Sequence, residues 1–258
     1  MKYIGIRGHR GSGKKTIAYL LANTIEYLLQ KKSLDEYKNT FKDWCKKIIE
    51  NEHILKTAEN EHVIIEGFGD GPKILLYMLT GISVEQMQDD YSKDHIVFNL
   101  RTFKQGNLGD EVCEDDLISA KEYFNQLQFG EEPKVINKDI WMTLRELILY
   151  FGIYVMQNTF GLNVWVKSLI ANSSYYNCLY QDDVNGYKIY PDIKARTEIT
   201  YIKDHGGIII KVSHPGHIKR GGMDLLKGDS RYDYEVINQD NLEDTADQIF
   251  DIAKKIIG

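Results

Sequence analysis

Gly8-His9-Arg10-Gly11-Ser12-Gly13-Lys14-Lys15-Thr16 is the stretch whose reading decides the fold. It follows the apolar strand candidate Tyr3-Ile4-Gly5-Ile6 and precedes a helical pattern running from Ile17 to Leu29. A glycine-rich turn so placed wraps backbone N–H groups around a phosphate chain. The following helix adds the positive end of its dipole, and Lys14 reaches the outer phosphates. Gly8, Arg10, Gly11, Ser12, Gly13, Lys14, Lys15 and Thr16 are therefore the expected phosphate cradle, a P-loop. Its strict form has Ser or Thr directly after the lysine, to set a hydroxyl on magnesium; here Lys15 stands there and Thr16 follows one place later. The rival dinucleotide fingerprint, G-x-G-x-x-G, fails because a match begun at Gly11 needs glycine at Thr16.

The rest of the composition fits a globular α/β chain. With 258 residues, 43% of them hydrophobic, it can bury a sizeable core as one domain, 1–258, carrying inserted segments. A net charge of −6 argues against bulk nucleic acid as the main partner, since neutralising a phosphate backbone takes a basic face. Cys45, Cys113 and Cys178 have no C-x-x-C spacing, which fits structural thiols in a reducing compartment. No apolar run approaches the roughly 20 residues of a membrane span, and a cytoplasmic location is expected.

Along the chain, strand and helix patterns alternate, which predicts a parallel sheet covered on both faces. Residues 31–60 read as a helical insertion, and His62 to Glu66 as a strand that breaks at Gly67-Phe68-Gly69-Asp70-Gly71-Pro72. Helices are expected over Lys73–Leu79 and over Ile82–Asp90, the second with Ser83 and Gln86 at capping-box spacing. Residues 95–130 read as a lid or substrate-side insertion. Within it Ile96–Leu100 suits a strand, Lys104–Asp110 a turn, and Leu117–Leu127 a helix. Trp141, Leu144, Ile148, Phe151 and Val155 mark one long helix from Asp139 to about Gly161. A helix over Val164–Leu179, a strand Tyr187–Tyr190 delivering Pro191-Asp192, a helix over 195–205, strands at Gly207–Val212 and Tyr234–Ile237, and a helix Leu242–Ile257 complete the pattern.

Phosphoryl transfer asks for cations and a magnesium-binding carboxylate at the carboxyl edge of such a sheet. Asp192 suits a water-bridged magnesium, or else the N-cap of the helix after it. Glu66 ends another strand and reads best as an ordinary strand-terminal acid. Lys194, Arg196 and Glu198 follow Asp192 as phosphate cations with an orienting acid, or as a surface charge cluster. Arg145 interrupts an apolar helix and needs an anion, either a substrate phosphate or an internal carboxylate. Lys73, at a helix start, suits a second anion site or solvent. His214 and His217 lack the carboxylate or cysteine company of a metal pair.

In order and spacing these landmarks resemble the bacteriophage-type deoxynucleoside monophosphate kinases. The likeness is carried by Gly8-x-x-Gly11-x-Gly13-Lys14-x-Thr16, Phe68-Gly69-Asp70-Gly71-Pro72-Lys73 and Leu79 to Gln86. It continues through Leu144-Arg145-Glu146-Leu147, Phe151-Gly152, Asn163-Val164-Trp165-Val166, Pro191-Asp192-x-Lys194-x-x-x-Glu198, and Gly206-Gly207 to Gly216. The resemblance implies a three-layer P-loop fold and a kinase moving the γ-phosphoryl group of ATP, with magnesium, onto a deoxynucleoside 5′-monophosphate. It implies Lys14, Arg145, Asp192, Lys194 and Arg196 at the transfer region, with Thr16 and Asp192 on magnesium. Phe68, Asp70, Lys73, Arg145 and Glu198 would lie on the monophosphate side. It also implies the cytoplasm of a host cell, and leaves a homodimer open. The chain departs from the family at Lys194 and His214, where arginines are usual, and at Leu149 and Ile153, which replace a polar pair. Two other readings stand beside this one: a P-loop kinase of another small metabolite, and a non-catalytic nucleotide-binding module.

Overall fold

The computed structural model describes residues 1–9, 11–30, 36, 62–128, 140–168, 186–215, 226, 228–239 and 242–258. The expected helices over 31–60, the last part of the helix expected over Val164–Leu179, and Arg10, Cys45, Cys178 and His217 lie outside them. Its strands are β1 (Lys2–Gly8), β2 (Val63–Ile65), β3 (Ile96–Asn99), β4 (Lys104–Asn107), β5 (Trp141–Thr143), β6 (Tyr187–Ile193), β7 (Ile208–Ser213) and β8 (Tyr234–Ile237). The chain divides into two compact units, one of Met1–Phe68 with Ser173–Gly258 and the other of Gly69–Asn172.

In the first unit five strands form a parallel sheet in the order β2-β6-β1-β7-β8. Alternation along each strand sorts its side chains between two faces. Ile4, Ile6, Ile189, Ile210, Val212 and Val236 share one core with Ile17, Leu20, Leu21 and Ile25 of helix Lys14–Leu29 and with Ile249, Phe250, Ala253 and Ile256 of helix Leu242–Ile257. Each fully buried isoleucine contributes about 1.5–3 kcal/mol relative to leaving it exposed. The opposite face takes helix Arg196–Asp204, whose Ile199 and Ile202 are fully buried. Gly5 permits that approach, because a Cβ there would lie 2.6 Å from Cδ1 of Ile202 and 2.8 Å from Cδ1 of Ile209. The result is a central parallel sheet flanked by helices, as expected.

Aromatic residues also pack on the second face. Tyr190 stacks on Phe68 at 4.5 Å and on Tyr3 at 6.3 Å, and Tyr201 meets both edge-on. On the first face Glu26 carries a charge inward. Its Oε1 accepts the backbone N–H groups of His62 (2.6 Å) and Val63 (2.8 Å), fixing the start of β2 against the first helix.

Arg7 is another buried charge, 8% exposed near the end of β1. It donates to the carbonyls of Asp229 (2.8 Å) and Leu226 (3.2 Å), with the Asp229 carboxylate 3.8 Å away. Arg231 grips the same carboxylate at 2.7 Å. The Arg231 hydrogen bond leads in holding the Asp229 carboxyl down at about 2, against a smaller upward push from burial.

The second unit is built differently. Its three strands form an antiparallel sheet, β4-β3-β5, over a core of Leu76, Ile82, Met87, Ile96, Phe98, Met142, Leu144 and Leu147. Lys104–Asn107, expected as a turn, is a strand: pairing with β3 overrides its weak local propensity. The helix expected from Asp139 begins only at Leu144, because Trp141-Met142-Thr143 pair with β3 and the Thr143 hydroxyl then caps the helix at Glu146. That helix widens into a π-turn at Tyr150–Val155 before Met156–Phe160. Ser83 and Gln86 make the full capping box that opens Val84–Gln88. Asp89 ends that helix and caps a second, Asp90–His95, so one expected helix becomes two. The first helix of the unit is Asp70–Thr80, three residues earlier at its start than Lys73. Strands β3 and β4 and helix Ala120–Gln128 come from the 95–130 segment.

Asp229→Ala should lower stability by about 1.5–3 kcal/mol, because it removes the carboxylate that Arg231 grips and that lies 3.8 Å from the buried Arg7 guanidinium. Since the folded carboxyl titrates below its unfolded value, its stabilisation is complete above about pH 4 and is lost as pH falls through about 2. Chemical denaturation of both proteins between pH 7 and pH 2 checks this: the difference should shrink at the acid end, and a constant difference would contradict it.

Candidate functional site

The connection leaving β1 leads to β2 on one side of it, whereas β6 to β7 and β7 to β8 lead the other way. Connections therefore diverge at the carboxyl end of β1, the position where open parallel sheets take ligands. Residues Gly8 to Gly13 occupy that position. The Ser12 N–H donates to the His9 carbonyl at 3.1 Å, closing the turn, and Gly11 and Gly13 hold φ of 81° and 84°, which L side chains seldom adopt. Gly13 is the N-cap of the helix that starts at Lys14, so the helix N-terminus faces the turn. Gly8 packs too closely for any side chain, since a Cβ would lie 2.5 Å from the Val212 carbonyl oxygen and 2.6 Å from Ser12 Oγ.

Lys14 folds back over this turn. Its Nζ donates to the carbonyls of Gly8 (3.0 Å) and His9 (2.9 Å) and lies 3.5 Å from Asp192 Oδ1. Lys15 is exposed and Thr16 half-buried on the first helical turn. Asp192 lies in β6, next to β1, and does not cap the following helix, whose N-cap is Ala195. Burial pushes the Asp192 carboxyl up, but Lys194 at 2.8 Å and Lys14 outweigh it and leave the group below the ordinary carboxylate range. It is thus an ionised carboxylate between two ammonium groups.

Glu198 shapes the turn that carries Lys194. Its Oε2 accepts the N–H groups of Lys194 (2.7 Å) and Ala195 (2.9 Å), which is the acidic half of a capping box. Burial nonetheless raises its pKa above the usual value, these two backbone bonds opposing the shift. Arg196 is mostly exposed, 4.0 Å from Asp229. Phe68, expected beside a substrate, is buried under Tyr190.

Asp70, Lys73 and Arg145 belong to the second unit. Lys73 pairs with Asp70 at 3.2 Å within the first helical turn. Arg145 makes a two-pronged pair with Asp94, through Nε (2.5 Å) and Nη2 (2.9 Å), and has Asp90 at 3.6 Å. The internal carboxylate of the two sequence readings is therefore present. In the same unit an open groove of about 370 Å³ is lined by Gly71, Ile74, Met78, Met156, Phe160 and Trp165, among others. The Trp165 indole N–H donates to the Gly152 carbonyl in the π-turn at 2.8 Å. Among the described residues no three His, Cys, Asp or Glu side chains gather as a metal-ion site, and no helix is long and apolar enough to cross a membrane.

The sequence reading missed Asp94, Asp229 and Asn238. Asp94 and Asp229 could have been sought as the anions that Arg145 and Arg7 demand in apolar surroundings. Asn238 sends its side chain to the Ser12 carbonyl at 2.9 Å and left no signal in the sequence.

No known protein family matches the chain, and no curated protein matches it.

Gly8→Ala should cost about 1–3 kcal/mol through overpacking against the Val212 backbone. Urea unfolding checks this, and an unchanged midpoint would mean that the turn is looser than described.

Proposed function

We propose that this chain is an ATP- and magnesium-dependent kinase that transfers a γ-phosphoryl group to a deoxynucleoside 5′-monophosphate. The observation that carries the reading is the Gly8–Gly13 turn at the carboxyl end of the central strand, with the Lys14 ammonium held over it beside an ionised Asp192.

In this reading the backbone N–H groups of the turn and the first helical turn bind the triphosphate, and Lys14 exchanges the Gly8 and His9 carbonyls for phosphate oxygens. Magnesium, when bound, neutralises charge on the β- and γ-phosphates. The donor set fits it: Thr16 offers a hydroxyl at the start of the helix, and Asp192 offers a carboxylate kept ionised by its two lysines, suited to holding a metal-bound water. Lys194, kept in place by the turn that Glu198 organises, adds charge where the transferred group becomes more negative. Arg196 supplies the guanidinium that the family keeps at position 194.

The acceptor side divides the readings. Both cations proposed for the monophosphate, Lys73 and Arg145, are matched with carboxylates, so an incoming phosphate must compete with Asp70 and Asp94. The apolar groove at Trp165 has the aromatic and methionine lining that suits a flat base.

The decisive test is ADP release measured across deoxy- and ribonucleoside monophosphates. Turnover is expected with at least one deoxynucleoside monophosphate, reduced by about two orders of magnitude or more in Lys14→Ala without loss of fold. Turnover only with a sugar or an acid would instead move the acceptor class, and ATP binding without any transfer would favour the nucleotide-binding module. Arg145→Ala should raise KM for the monophosphate far more than KM for ATP. Equal changes in both would assign Arg145 to the pairing with Asp94 alone.

A further inference from the structure

We propose that Asn238 is a positioning residue for the phosphate loop, holding the Ser12–Gly13 peptide in the orientation that turns the Gly13 N–H into the turn. The inference rests on the reading of Gly8–Thr16 as a triphosphate site and adds a residue from the opposite end of the chain.

Asn238 is the first residue after β8, the edge strand of the parallel sheet, and its Nδ2 donates to the Ser12 carbonyl across 226 positions of sequence. In a trans peptide the carbonyl and the next N–H point in opposite directions. A donor that fixes the Ser12 carbonyl on the β8 side therefore fixes the Gly13 N–H on the other. A phosphate cradle needs N–H groups pointed inward and carbonyls turned outward, and an outward carbonyl needs a donor of its own once it leaves water. The Asn238 amide is that donor.

Its own placement is over-determined. The Asn238 N–H bonds to the Ser213 carbonyl at 2.8 Å, prolonging the β7–β8 pairing by one residue. The preceding Ile237 peptide is gripped on both sides by one side chain: its N–H donates to Gln248 Oε1 (2.9 Å) and its carbonyl accepts from Gln248 Nε2 (3.1 Å). Gln248 stands on the closing helix Leu242–Ile257, itself packed against the helix that begins at Lys14. On the loop side, Gly13 leaves room for the amide, since a Cβ there would run into Nδ2. Gly13 is thus required both by its φ of 84° and by Asn238. Ser12, the other flank of the peptide, is buried.

The test compares binding of magnesium ATP and of inorganic tripolyphosphate, by calorimetry, to the full chain and to Asn238→Ala, Asn238→Asp and Gln248→Ala. Tripolyphosphate carries the phosphates without base or sugar. The expected result is a loss of about tenfold for both probes in Asn238→Ala, the scale of one hydrogen bond made to order a charged site. Asn238→Asp, which cannot donate and adds a negative charge, should lose at least as much. Gln248→Ala, altered at a half-buried helix position away from the loop, should lose a few-fold for both probes while keeping its circular dichroism. It keeps the proposal testable should the Asn238 variants fail to fold. In turnover assays KM for ATP should rise while KM for the acceptor stays within about twofold.

Unchanged tripolyphosphate affinity in folded Asn238→Ala would overturn the proposal. So would a loss confined to ATP, which would make Asn238 a contact to the base or sugar, and so would unchanged affinity in Gln248→Ala if that variant alone folds. Failure of the unaltered chain to bind either probe would be a different result, overturning the phosphate-loop reading itself.

Discussion

The ammonium of Lys14 is held above its own loop, between the carbonyls of Gly8 and His9 and the carboxylate of Asp192. That one contact links three consequences of the fold. The loop carbonyls are available because the strand ends at Gly8 and the chain turns at once. Asp192 is available because β6 inserts next to β1 in the sheet. The lysine is available because a helix begins at Lys14, capped by Gly13, and points its first side chain back. Under the proposed kinase reading, this cation exchanges its two carbonyl partners and shared carboxylate for phosphate oxygens, which bind an ammonium more strongly.

The constraint reaches outward through glycine. Gly5 lets Ile202 and Ile209 close on the sheet below the site, Gly8 lets the turn pass the Val212 backbone, and Gly13 lets the Asn238 amide meet the Ser12 carbonyl. A methyl group at any of the three would press on packing atoms or on a hydrogen bond. Two buried cations on the same strands have acids of their own, Arg7 beside Asp229 and Lys188 beside Glu66. Cations left at the carboxyl edge, Lys14 and Lys194, share one acid between them.

What the sequence disclosed follows from the range of the interactions involved. The glycine-rich loop, the helix after it, the apolar strands and the Ser83–Gln86 capping box are written in neighbouring residues, and local patterns sufficed. Lys104–Asn107 and Trp141–Thr143 are strands only because β3 lies between them, and nothing adjacent to either segment announces that pairing. The site divides in the same way. Asp192 was legible as an acid at a strand end with Lys194 two residues on, but its contact with Lys14, the pairing of Arg145 with Asp94 and the Asn238 amide on the Ser12 carbonyl reach across tens to hundreds of positions. Glu198 illustrates a middle case: the sequence offered it as an acid orienting nearby cations, and it instead accepts the Lys194 and Ala195 N–H groups and so orders the turn that carries Lys194.

The central claim, that residues Gly8 to Thr16 hold a triphosphate through their amides with Lys14 over its end, is tested most directly by phosphorus NMR of magnesium ATP titrated with the protein. The account predicts that the β- and γ-phosphate lines shift and broaden with the unaltered chain, and return to their free positions with folded Lys14→Ala. Lines that do not move, or that move equally with both proteins, would contradict it.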